Sequence, residues 1–136
     1  MEKYFTPSIE DIRVGYECEL YIRRYENDKL VKEGWEPTTL FSGSVRFILE
    51  RMLLHEVRVP YLSKEQIEAE GWKQDERYDD KMHFYKNEVY LSLHIIYHKE
   101  EVIYHKISIF NEDGVIFKGE CKDINTFRWI CKLARV

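Results

Sequence analysis

The sequence predicts an α+β fold, a single domain with a mainly antiparallel sheet and about three helices packed on one face. Three observations point there. Apolar residues alternate with period two in several runs, they switch to helical spacing in three others, and turn-forming residues separate neighbouring alternating runs. A length of 136 residues suits one domain whose core needs neither disulfides nor a structural metal.

The first element is a hairpin over residues 13–36. Val14, Tyr16, Cys18, Leu20 and Ile22 point one way while Glu17, Glu19, Tyr21 and Arg23 point the other. "ENDK" is the turn, and "LVKEGWEPTTL" returns as a strand whose Pro37 suits a sheet edge. Val45, Ile48, Leu49, Met52 and Leu53 then form the stripe of a helix over residues 44–54, with Ser42 or Ser44 placed to cap it. In "YLSKEQIEAEGW", Ser63 and Gln66 fit a capping box, Leu62 and Ile67 a hydrophobic staple, and Gly71 a left-handed stop, so residues 64–70 form a short helix. After the polar stretch "KQDERYDDK" come four antiparallel strands within residues 82–118, with "NEDG" turning the last pair. Ile124, Phe127, Ile130, Cys131 and Ala134 place a closing helix over residues 124–134 behind an Asp123 or Asn125 cap.

Composition excludes several functions. A net charge of -4 argues against general nucleic-acid binding, which calls for a basic excess. Acids stand where a signal peptide needs a basic start, and no apolar run reaches membrane-spanning length, so the expectation is a cytoplasmic protein with no membrane contact. Cys18, Cys121 and Cys131 include no CxxC pair and are expected as buried reduced thiols. The high aromatic content, 15%, suits the rim of a small core or an aromatic recognition surface.

"HIIYHKEEVIYHKISIF" states one pattern twice and raises the question of a histidine metal site. A three-residue loop of Lys99 to Glu101 pairs His98 with Val102. Leu91, Leu93, Ile95 and Tyr97 then share a face with Ile103, His105, Ile107 and Ile109, and His98 lies opposite His105. A two-residue loop of Glu100 and Glu101 would put both histidines on one face but would mix apolar and polar residues on each face, so the first register is favoured. His94 and His98 share a face, yet four strand residues separate them by roughly 13 Å, too far for one metal ion. Neither a metal nor a cofactor is expected. His55 and His83 are expected in structural roles. Glu17 and Glu19 have the spacing of paired carboxylates, which solvated strand charges also show, so no catalytic residue is assigned.

The expected ligand-binding group is Arg23, Arg24 and Tyr25 with Trp35 across the hairpin, since guanidinium and aromatic groups together hold planar anions. "RVPYLSKEQIEAEGW", "FKGECKDINTFRWICKLARV" and "IEDIRVGYECEL" resemble small uncharacterised proteins encoded by phages and prophages of Bacteroidetes. The resemblance implies a phage accessory protein acting in the bacterial host cytoplasm. Such proteins include inhibitors of host defence, some of which sequester nucleotide signals. The expectation is therefore a non-enzymatic binding protein for a host protein or a small anionic, nucleotide-like ligand. Alternatives are a small hydrolase or nucleotide-modifying enzyme using strand His and Glu residues, or a structural phage component. Unpaired sheet edges add the expectation of a homodimer or larger homo-oligomer.

Overall fold

A computed structural model of the chain describes residues 3–99 and 101–136; Glu100 and the side chains of Val45, Glu101, Val102 and Ile103 lie outside the described residues. The fold is α+β: among the described residues there are three α-helices, and the antiparallel strands are divided between a four-stranded and a five-stranded sheet. The chain falls into two compact units, each with one sheet and one buried apolar cluster.

The unit Tyr4–Pro60 contains β1 (Tyr4–Phe5), β2 (Glu17–Glu26), β3 (Lys29–Thr39), α1 (Val45–Leu53) and β4 (Val57–Pro60), with strand order β1-β4-β2-β3. Asn27 and Asp28 both take positive φ, the two-residue turn that matches strand twist, and Glu26 faces Lys29 across it. Pro37 falls on β3, an edge strand, where its missing N–H leaves no ladder bond unmade. Tyr16, Cys18, Ile48, Val57 and Val59 form the core, with Met52 packed against it. Two expectations need correction here. Ser44 takes the N-cap position of α1, but its Oγ serves Phe41 instead, accepting from Phe41 N and donating to Phe41 O. Leu53 and Val14, placed on apolar faces by spacing, are exposed: Leu53 is the last residue of α1, and Val14 lies in a turn before β2 begins at Glu17.

The second unit carries α2 (Lys64–Ala69), β5 (Lys73–Gln74), β6 (His83–Lys86), β7 (Val89–His98), β8 (Glu101–Asn111), β9 (Gly114–Glu120) and α3 (Ile124–Ala134), with strands in sequence order. The capping box of α2 is formed: Gln66 N donates to Ser63 Oγ and Ser63 N to Gln66 Oε1. Gly71 supplies the left-handed residue after it, at φ +95°. Asp123 caps α3 by accepting from Thr126 N. The inner face of the sheet sets Phe84, Leu91, Ile109 and Phe117 side by side across four strands, with Leu93 and Ile107 in the next row. Ile67 from α2 and Ile124, Phe127 and Ile130 from α3 join the same buried cluster.

From Leu91 opposite Ile109 to Ile96 opposite Tyr104, β7 and β8 keep the favoured register. Nearer the loop it shifts by one residue at Ile96/Tyr97, so Tyr97 faces Val102 and His98 faces Glu101. The expected loop of Lys99 to Glu101 is not formed as such, since Glu101 belongs to β8 and faces His98, and a bulge takes up the extra position; Glu100 lies outside the described residues. His98 is exposed and His105 buried, on opposite faces.

His105 stacks on Tyr61, with ring centroids 5.1 Å apart, and its Nδ1 has no partner among the described residues. Burial lowers its pKa below the ordinary 6.5, offset in part by a bond to the Leu62 backbone. The unfolded chain thus takes up a proton that the folded unit refuses. Stability should be full above about pH 6.5 and should fall as the pH drops through that value toward the lower folded-state one. Urea titrations between neutral and mildly acidic pH, with His105→Phe showing a flatter profile, check this. Ile67→Ala and Phe127→Ala each remove a side chain with no exposed surface. Each should lower unfolding free energy by roughly 2 to 5 kcal/mol in equilibrium denaturation.

Candidate functional site

On the four-stranded sheet the strand pleat divides the group expected to bind an anion. Tyr21 faces Trp35 and Arg23 faces Glu33, which sets Arg23 and Trp35 on one side. Arg24 faces Lys32 on the other side, 3.7 Å from Glu36. Tyr25 stands exposed near the hairpin end, past a register shift.

The cations on the Trp35 side are already engaged. Arg58 lies between two rings, 3.6 Å from the Tyr4 centroid and 4.2 Å from that of Trp35, and its Nε donates to Glu19 at 2.8 Å. Arg23 sits 4.8 Å over Tyr21 and donates to Glu56 at 2.6 Å, while the other Glu56 oxygen accepts from Arg51. These two bonds hold the Glu56 carboxyl below the usual range, and Arg23 is correspondingly more basic. Glu19, considered above as half of a carboxylate pair, is held by Arg58. The result is a closed ladder of stacked rings and ion pairs.

The outer face of the five-stranded sheet holds a cleft of about 230 Å³. Tyr90 stacks with Phe110 at 5.8 Å along one wall. Tyr78 stacks with His83 at 3.9 Å along another. Asp75 is buried at the rim and grips Arg77 as a fork, with Nε to Oδ1 at 2.9 Å and Nη2 to Oδ2 at 2.6 Å. The same guanidinium lies 5.5 Å over Tyr90, joining rim to wall. Arg77 holds the Asp75 carboxyl below its ordinary value.

His83 is fixed from both sides. Its Nδ1 lies 2.8 Å from Ser92 Oγ and its Nε2 lies 3.2 Å from Asp80 Oδ2. With the Asp80 carboxylate accepting from Nε2–H, Nδ1 is left to accept from the Ser92 hydroxyl. This chain links a hydroxyl, a base and a carboxylate as an acyl-transfer site does. Ser92, however, is buried, and its strand is flanked on both sides there, so the local backbone N–H groups belong to the ladder. What the chain does within the cleft is to lock the imidazole in orientation.

The thiols are far from reactive: burial pushes Cys18 and Cys131 up to about 11 and Cys121 higher still. Among the described residues no group of three His, Cys, Asp or Glu is placed to hold a metal ion. No helix of the described residues is long and apolar enough to cross a membrane.

The cleft is not legible beforehand because Asp75, Arg77 and Tyr78, and the Asp80 that holds His83, come from the stretch that sequence marks only as polar. One usable signal was present: an Asp, an Arg and a Tyr in quick succession ahead of a strand that opens with His. No family model, curated protein or solved structure matches the chain.

Removing Arg77 leaves the buried Asp75 carboxylate without its cation. Arg77→Ala should therefore melt below wild type at neutral pH, and the gap should narrow with acid. The contribution of Asp75 is present above its ordinary 3.8 and is lost as the pH falls through its lower folded-state value. Melting curves from neutral pH down to about pH 2, which runs through the ordinary carboxyl value and below it, check the trend.

Proposed function

We propose that this protein is a non-enzymatic binding module whose ligand site is the cleft walled by Tyr90, Phe110, Tyr78 and His83. The observation that carries the reading is the pairing of these ring walls with the Asp75–Arg77 fork at the rim. Two stacked pairs offer flat apolar surfaces, and the volume admits one ring system, such as a nucleobase or an aromatic side chain. Asp75 takes Nε and Nη2 of Arg77, and no bond among the described residues uses Nη1, which can meet an anionic group on the ligand.

The favoured ligand is a small, ring-bearing anion of nucleotide type, with a host protein presenting an aromatic side chain as the other candidate. The phage-like resemblance supplies the setting for this reading: an accessory protein in the bacterial host cytoplasm, acting against a host defence. The Asp80–His83–Ser92 chain supports a second reading as a small hydrolase, against which the burial of Ser92 weighs.

Calorimetry with linear and cyclic nucleotides, beside pull-down from host lysate, tests the reading. Wild type should bind one of them, and Tyr90→Ala and Arg77→Ala should each weaken it by about 1.5 to 3 kcal/mol, the worth of a lost stacking face or charge-assisted bond. Arg24→Ala and Trp35→Ala should leave binding unchanged. Ester hydrolysis that is abolished by Ser92→Ala would establish the hydrolase instead.

A further inference from the structure

A second feature of the outer face lies beyond the cleft, where β7 outruns β6. Pairing between these strands ends at His83 opposite Ser92, and one further bond runs from Leu93 N to Met82 O at 2.9 Å. From His94 to His98, among the described residues, β7 has a strand neighbour only on its β8 side. Backbone groups alternate in direction along an antiparallel strand. Since Leu93 N–H points away from β8, so do the N–H and C=O of Ile95 and Tyr97. No strand among the described residues receives them.

This edge opens onto a groove of about 550 Å³ bordered by Ile95, Tyr97, His94, Lys106, Lys118 and Asp80. The two sides of the groove differ in chemistry. His94, Lys106 and Lys118 belong to the outer face, where His94 faces Lys106 and Ser108 faces Lys118 across the ladder. Leu93, Ile95 and Tyr97 belong to the opposite, apolar face of β7. No ion pair among the described residues engages Lys106 or Lys118, and Asp80 is the one carboxylate on the groove.

We propose that the open edge of β7 receives an extended segment of a partner protein in which acidic and apolar side chains alternate. Such a segment would complete the ladder by bonding to Ile95 and Tyr97. Because its side chains alternate between faces, one set would meet Lys106 and Lys118 while the other continued the apolar face of Ile95. A second copy of this chain fits the edge poorly. Pairing β7 with itself would bring one set of His94 and Lys106 side chains toward another, and like charges across a ladder repel. The inference shares with the cleft only the premise that the outer face binds, and either can fail alone.

The probe is a blocked synthetic heptapeptide alternating valine and glutamate, tested on the full chain by calorimetry and by amide hydrogen exchange. The expected result is saturable binding with exchange slowed at Ile95 and Tyr97 by about tenfold or more. A peptide with lysine in place of glutamate should bind at least about tenfold more weakly to wild type. The Lys106→Glu, Lys118→Glu double variant should reverse that order, and Tyr90→Ala should leave peptide binding unchanged. Absence of saturable binding, binding without protection of those two amides, or equal binding of both peptides to wild type would overturn the proposal. So would protection of the same amides by self-association without peptide, which would assign the edge to a second copy.

Discussion

Both candidate binding features of the second unit are set by the register that places Leu93 opposite Ile107. Side chains alternate along a strand with period two, so a slip of one residue between β7 and β8 would turn one strand over against the other, sending either Leu91 and Leu93 or Ile107 and Ile109 outward and bringing His94 or Lys106 into the core in their place. Burying an ammonium or imidazole group without a partner while exposing two aliphatic side chains costs more than any such register could regain, so that alternative is not competitive. The same register sets Tyr90 beside Phe110 and Ser92 opposite His83, which makes the cleft wall and the imidazole anchor consequences of core packing. The bulge at Ile96/Tyr97 brings His98 opposite Glu101 without disturbing that arrangement.

The first unit spends its cations on its own structure. Arg58 between two rings and beside Glu19, and Arg23 over Tyr21 and against Glu56, are each offset by a carboxylate within hydrogen-bond reach. A ligand anion would have to displace that carboxylate, and the freed Glu would then repel it. In the second unit, Lys106 and Lys118 keep their charge available. Surface charge recruits a partner only where it is not already satisfied within the fold.

How much could be read in advance followed from how local each signal is. The capping box of α2, the Asp123 cap and the Asn27–Asp28 turn involve residues at most three apart, and each stands where the sequence places it. The four residues of β4 are too few to show a period and end in proline, and the two-residue strands β1 and β5 carry no pattern at all. They exist because a longer neighbour offers them an edge. The division into two sheets was likewise hidden, since alternation shows which face of a hairpin is apolar but not which other hairpin it joins. Arg23, Arg24 and Tyr25 look like one cluster because they adjoin in sequence, whereas adjacency along a strand is what sends side chains to opposite faces. Tyr90, Phe110 and Tyr78 meet only through pairing across the sheet and a loop of no period.

The three tryptophans occupy three different surroundings. Trp72 is buried in the second unit's core near Phe127, Trp35 is half-buried under the Arg58 guanidinium, and Trp129 is more than half exposed on α3. An indole in a dry core, one beside a fixed positive charge and one in water differ in emission energy and in access to quenchers. The chain therefore contains its own optical labels: Trp35 reports on the unit Tyr4–Pro60 and Trp72 on the other, while Trp129 supplies a solvent reference. Single-tryptophan variants would show whether the two units melt together or in succession, with no dye attached.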